Sequence, residues 1–287
     1  MESVIKIQNL YKSYGKNSVL KGISFDVKKG EIFALLGTNG AGKTTTLECI
    51  EELRKYDEGE TFIDGKFGVQ LQSTSLPENI KVIEALTLFS KWNDCKLDND
   101  FSSRIGLDTI KNKQYVELST GQKRKLHLAI VLIGNPDIIF LDEPTAGLDV
   151  EGRIVLHDEI RRLKGQGKTI VMASHDMAEV EDLCDTIAIL KDGKIAFIGS
   201  PEELTMQVSS VYTMHLKLSE NISFFPLTTC VYKETIQDYS IFETSNIGDS
   251  LSELLTIAKV KKVQIYDLKI EHPSLERRFM EIAKEGK

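Results

Sequence analysis

The chain has 287 residues, 41% of them hydrophobic and 28% charged, with a formal net charge of −7. That length holds one large or two modest domains and can bury a sizeable core. The acid excess argues against nucleic acid as a main partner, since such binding neutralises phosphates with clustered Lys and Arg.

In chain order, Val4 to Leu10 alternates as a half-buried strand, and Ser24 to Val27 is a second strand ending at a Lys28-Lys29-Gly30 turn. Ile32 to Leu36 is an uninterrupted apolar strand, and Thr45 to Leu53 is helix-like. Gly59 to Gln72 holds two short strands around Asp64-Gly65, which predicts a tight hairpin. From about Ser73 to Glu117 the chain is polar and helix-like. Gln122 to Ile133 is apolar at helical spacing and stops at Gly134-Asn135-Pro136. Ile138 to Leu141 reads as a buried strand, Val150 to Lys164 as an amphipathic helix, and Thr169 to Ala173 as a third buried strand. A short helix starts at Met177. Thr186 to Leu190 then pairs with Lys194 to Ile198 across Asp192-Gly193.

After Gly199-Ser200-Pro201 the texture changes. Strands at Tyr212 to Leu218, Cys230 to Thr235 and Tyr239 to Thr244 precede a helix at Asp249 to Ala258. A strand at Val263 to Ile270 and a helix at Pro273 to Ala283 follow, an α+β pattern of its own. Cys49, Cys95, Cys184 and Cys230 form no C-x-x-C pair or metal-ligand spacing, so reduced thiols are expected. The sequence starts with no basic apolar leader. No apolar run approaches the ~18–20 residues of a membrane span. A membrane role is therefore expected to come through a partner.

Gly37-Thr38-Asn39-Gly40-Ala41-Gly42-Lys43-Thr44 fits G-x-x-x-x-G-K-[ST] between an apolar strand and a helix, the context a nucleotide-phosphate loop needs. Its glycines let backbone N–H groups turn toward phosphate oxygens, and the helix N-terminus adds partial positive charge. Lys43 can reach the β- and γ-phosphates of a nucleotide, and the Thr44 hydroxyl can bind Mg²⁺. Asp142 and Glu143 end the strand at Ile138 to Leu141. The first acid suits Mg²⁺, and the second suits a general base that deprotonates attacking water. Leu118-Ser119-Thr120-Gly121-Gln122, directly before a helix, is either a simple cap or a second anion-binding surface.

The order of these motifs, with His175 after the next strand, resembles the ATP-binding-cassette (ABC) ATPases over roughly residues 4–200. The resemblance implies an α/β P-loop cassette with a RecA-like core and a β-rich N-terminal part over 1–200. A helical subdomain is placed at about 73–121, and a small C-terminal α+β domain at 201–287. It assigns Tyr14 to stacking on adenine and extends the phosphate loop to Thr45. Gln72 becomes the residue that senses Mg²⁺ and the attacking water; Gln70 competes, and the spacing from Gly68 favours Gln72. Ser119 to Gln122 becomes the signature loop, and Ala146-Gly147-Leu148-Asp149 the loop joining two cassettes. His175 becomes the switch at the γ-phosphate. One departure is Thr120, where the signature usually carries Gly; a β-branched residue narrows the loop's freedom.

Within this family two cassettes sandwich ATP head to tail, so a second copy or a paralogue is implied, together with a membrane permease on another chain. Val263 to Phe279 is similar to the end of the extension carried by export-type members. The implied function is ATP hydrolysis driving export of a drug, antibiotic, lipid or peptide, peripheral to the cytoplasmic face of the cell membrane. A non-transport cassette ATPase with a soluble partner is the first rival, and a phosphotransferase sharing the phosphate loop the second.

Overall fold

A computed structural model describes residues 2–70, 75–95, 103, 106–206, 211–220, 226–271 and 275–284. They form two compact units, residues 1–200 and 201–287.

In the first unit, β1 (Ser3–Tyr14) and β2 (Asn17–Lys28) pair antiparallel, with β4 (Glu58–Ile63) on the other side of β1. Both long strands alternate, so Ile5, Ile7, Leu20, Ile23 and Val27 all turn into one core. Phe25 stacks on Phe33 at 5.1 Å between centroids, which packs this small sheet against the central one.

The central sheet has the order β5 (Phe67–Gln70), β6 (Ile138–Asp142), β7 (Thr169–Ala173), β3 (Ile32–Leu36), β8 (Thr186–Lys191), β9 (Lys194–Gly199). Only β9 runs antiparallel, closing the hairpin read from Asp192-Gly193. Every residue of β3, β6 and β7 is buried, as expected of parallel strands covered on both faces.

The predicted hairpin across Asp64-Gly65 does not form. β4 pairs with β1 in the small sheet, whereas β5 pairs parallel with β6 in the central one. The Asp64 N–H donates to Val4 O at 2.8 Å, and the Asp137 N–H donates to Lys66 O at 2.7 Å, so the intervening residues hand the chain from one sheet to the other. Phe67 then packs edge-on against Phe140. Two long-range ladders and an aromatic contact outweigh a local turn preference.

The helices of this unit are α1 (Lys43–Ile50), α2 (Val82–Trp92), α3 (Thr120–Leu132), α4 (Val150–Gly165) and α5 (Met177–Leu183). Val82, Ala85 and Leu86 of α2 share a core with Leu107, Ile110, Tyr115, Leu126 and Ala129. The helical layer therefore runs on past residue 121 to include α3. Its centre is polar: Tyr115 Oη lies 3.1 Å from His127 Nε2 and also accepts from the Leu76 backbone N–H. Burial, aided by Arg124 and Lys123, pushes His127 down to about 4.

The second unit is an antiparallel sheet in the order β11 (Val231–Ile236), β12 (Tyr239–Thr244), β10 (Tyr212–Leu218), β13 (Ile265–Glu271). Gln237 and Asp238 both have positive φ, the requirement of the tight turn joining β11 to β12. One face of the sheet buries Met214, Leu216 and Phe242 against Leu254 of α7 (Ile247–Val260). α6 (Pro201–Met206) packs against α8 (Leu275–Lys284). Among the described residues, no helix is long and apolar enough to cross a membrane.

Candidate nucleotide site

β6, β7 and β3 are consecutive neighbours running the same way, so the loops that leave their carboxyl ends converge. Ligands of open parallel sheets bind at such edges. The loop after β3 carries residues 37–42, the loop after β6 carries 143–149, and the loop after β7 carries 174–176.

Gly42 caps α1 with φ 109°, a conformation that excludes other residues, and supplies no side-chain cap to the helix's first N–H groups. Those donors face the loop, which suits an anion. The Ala41 N–H donates to Thr38 O at 3.1 Å, tightening the turn. Lys43 is buried, and its Nζ donates to Gly37 O at 2.7 Å and Thr38 O at 3.4 Å. Burial lowers its pKa, opposed by the charges of Glu143 and Asp142. Beside the loop an open cleft of about 220 Å³ is lined by Thr38 to Ala41 and by Asn17, Ser18, Val19, Asp192 and Gly193. The β2 and β8–β9 residues of this lining were not legible as site residues in the sequence, because they arrive from other strands.

Thr44 Oγ1 donates to Asp142 Oδ2 at 3.2 Å, joining the two hard-oxygen groups expected at a Mg²⁺ site. Burial pushes the Asp142 carboxyl up, with Thr44 and Lys43 pulling the other way. Glu143 takes φ 49°, unusual for a non-glycine residue, which turns the chain sharply out of β6. Its N–H still donates to Ala173 O at 2.9 Å, and its Oε1 lies 3.1 Å from His175 Nδ1. Lys43, Thr44, Asp142, Glu143 and His175 thus form one cluster at the ends of three adjacent strands.

The signature segment is built as a helix start. Ser119 Oγ accepts from the Gln122 N–H at 3.3 Å, and Gln122 Oε1 accepts from the Ser119 N–H at 3.2 Å, a reciprocal capping box. Asp149 caps α4 by accepting from the Gly152 N–H at 2.8 Å. A Cβ placed on Gly147 would lie 3.1 Å from Thr120 Cγ2, so the signature and joining loops of one chain touch at Thr120.

Tyr14 ends β1 opposite Asn17, whose neighbours line the cleft. Its ring is half-exposed and has the Arg54 guanidinium 5.4 Å and the Lys12 ammonium 5.6 Å from its centroid. It is not among the cleft-lining residues. Thr45 lies in the first turn of α1. Gln72 lies outside the described residues. Gln70 is buried at the end of β5, where it lines a crevice between α3 and α4 with Leu128 and Leu148.

This geometry has known counterparts. The ABC transporter family matches residues 20–146. An uncharacterized ABC transporter ATP-binding protein, MJ1023 of Methanocaldococcus jannaschii, is 35% identical over 85% of this chain and 95% of its own length. The chain belongs to the ATP-binding proteins of ABC transporters, and it is an ATP-hydrolysing cassette. The linearmycin resistance ATP-binding protein LnrL of Bacillus subtilis is 28% identical over 97% of this chain and 98% of its own. The spermidine/putrescine import ATP-binding protein PotA of Mycoplasma mycoides is 32% identical over 92% and 80%. Among solved structures, an ATP-binding subunit of an ABC transporter superposes with TM-score 0.65 at 25% identity, over 71% of this chain and 93% of that one.

Proposed function

We propose that this cassette, in a head-to-tail pair, drives a membrane permease on a separate chain and that the transport is export. The meeting of Lys43, Thr44, Asp142, Glu143 and His175 supports the chemistry. Similarity to the Nod factor export ATP-binding protein I of Burkholderia orbicola, 33% identical over 83% of this chain and 86% of its own, supports the direction.

In this reading the N–H groups of residues 37–45 hold the phosphates, and Lys43 exchanges its loop carbonyls for the β- and γ-phosphate oxygens. Tyr14 stacks on adenine. Ser119, Thr120, Gly121 and Gln122 present a helix start to the partner's γ-phosphate, and Asp149 lies at the joint between cassettes. Thr44 and Asp142 fit Mg²⁺, because they already pair two hard oxygens and because Asp142 is a buried acid that a cation would keep ionised. Gln72 completes that set. Mg²⁺ when bound neutralises charge on the transferring phosphoryl group. Glu143 takes the proton of the attacking water, while His175, held at Glu143, meets the γ-phosphate with its exposed edge. Residues 201–287 form an accessory domain in this scheme.

The test is isolation of the tagged full chain from detergent-solubilised membranes. A stoichiometric polytopic membrane protein is expected. A soluble companion in its place overturns the transport reading. Reconstitution of that pair in vesicles then decides direction: cargo must move away from the side that holds ATP.

A further inference from the structure

One buried acid lies beneath this site without a part in the chemistry just described. Glu179, on α5, is 3% exposed. Its Oε2 accepts from Ser174 Oγ at 2.7 Å and from Thr145 Oγ1 at 3.2 Å. Ser174 directly precedes His175, and its Oγ also accepts from the Asp176 N–H at 3.1 Å. Thr145 lies two residues after Glu143. Oε1 of the same carboxyl is 3.6 Å from Nε2 of His157 on α4.

These contacts close a ring. The chain runs from Glu143 to Thr145, crosses by hydrogen bond to Glu179 and Ser174, continues to His175, and returns to Glu143 at 3.1 Å. The two hydroxyls satisfy Oε2, whereas Oε1 makes no hydrogen bond among the described residues, so the hold on this buried acid comes from the loop side. Both hydroxyl donors lie on the two loops that present the reacting side chains, and they add a side-chain link between loops whose backbones are held separately, by Glu143 N–H on Ala173 O and Ser174 N–H on Leu35 O.

We propose that Glu179 is a positioning residue for ATP hydrolysis: it locks the loop of Glu143 to the loop of His175 from below. The inference rests on the roles given to those two residues above. It predicts a loss in the chemical step with nucleotide binding preserved, because the phosphate loop after β3 makes none of these bonds. Misplacement of a reacting group by about 1 Å costs roughly 10²-fold in rate.

The experiment measures kcat and KM for Mg·ATP in Glu179→Leu, which removes the oxygen that accepts both hydroxyls, in the full chain with kcat expressed per ATP-binding-competent site. The expected result is a fall in kcat of roughly 10–100-fold with KM changed by less than about threefold. A role in folding alone would lower the number of competent sites and leave kcat per site unchanged. In a Glu143→Gln background the second substitution should add no further loss, since nothing remains to be positioned. If Glu143→Gln is inert while Glu179→Leu keeps the wild-type kcat, the positioning role is overturned and the site reading stands. If Glu143→Gln itself hydrolyses normally, the site reading fails first. Should Glu179→Leu not fold, Thr145→Val removes one of the two donors at constant shape and Thr145→Ser keeps it. A several-fold kcat loss in Val restored by Ser supports the ring; equal, wild-type rates in both overturn it.

Discussion

His175 Nδ1 stands 3.1 Å from Oε1 of Glu143, so the loops after β7 and β6 meet through their own side chains. Thr44 Oγ1 on Asp142 Oδ2 at 3.2 Å joins the start of α1 to the end of β6 in the same crevice. Pre-linked groups need little reorganisation at the moment of reaction.

Glu143→Gln keeps the shape of the side chain and removes its basicity. General-base catalysis contributes ~10²–10⁴ in rate, roughly 3–5 kcal/mol of barrier. The variant should bind ATP, hold a nucleotide-bound pair in size-exclusion chromatography, and lose turnover by that factor. Full hydrolysis by the variant would remove Glu143 from the base role.

Glu51 caps the end of α1 as a buried acid with no hydrogen-bond partner for Oε2 among the described residues, and burial, then Asp142 and Glu48, raise it to about 7. Unfolded, it titrates near the ordinary value of roughly 4.3. The folded protein therefore holds the extra proton between those limits, and stability is lost as pH rises through this window. Glu51→Gln should raise the melting temperature at pH 8, with a gain on the order of 2–3 kcal/mol, and have little effect near pH 4.5. Equal effects at the two pH values would mean that the gain has another origin.

His127 shifts in the opposite sense for a base. Its folded value of about 4 lies below the unfolded value of roughly 6.5. The unfolded chain binds the extra proton between them, so the contribution is complete above pH 6.5 and is lost as pH falls toward 4. His127→Gln retains an acceptor for Tyr115 without titrating. Thermal melts of the variant should depend less steeply on pH than wild type across that window; parallel curves would refute the assignment.

Gly147 combines φ 76° with the 3.1 Å approach of Thr120 Cγ2 to its Cβ position. Gly147→Ala therefore meets backbone strain and crowding together, with a cost of about 1–3 kcal/mol. Thr120→Gly should recover only the crowding part. On its own it is expected to change nucleotide-driven pairing without creating activity in an inert protein. Calorimetric ATP-dependent dimer affinities of the two single variants and the double variant separate the two contributions. Independent, additive effects would show that the contact is incidental.

The sequence was most readable where a motif and its flanking strand lie together. Residues 37–44, Asp142 and Glu143 needed only local context, and uninterrupted apolar runs marked β3, β6 and β7. Reading failed where partner choice is long-range: β4 and β5 look like the arms of a turn, yet each completes a different sheet. Asn17 to Val19 reach the cleft only through the return of β2. Glu179 carried a faint signal, an acid four residues past His175 on the inward face of a short helix, among Met177, Val180 and Leu183. Spacing alone gives no reason to separate it from Glu181, its exposed neighbour.

Tyr115 carries the last consequence. One phenol oxygen receives the backbone of Leu76 and meets the ring of His127, while the same residue sits four positions before Ser119. The backbone at residue 76 and α3 are therefore tied through one side chain. The helical layer should tilt as a plate, carrying Ser119 with it. One phenol thus ties the segment entering the helical layer to the helix that leaves it, and Tyr115→Phe would cut that tie without changing the shape of the core.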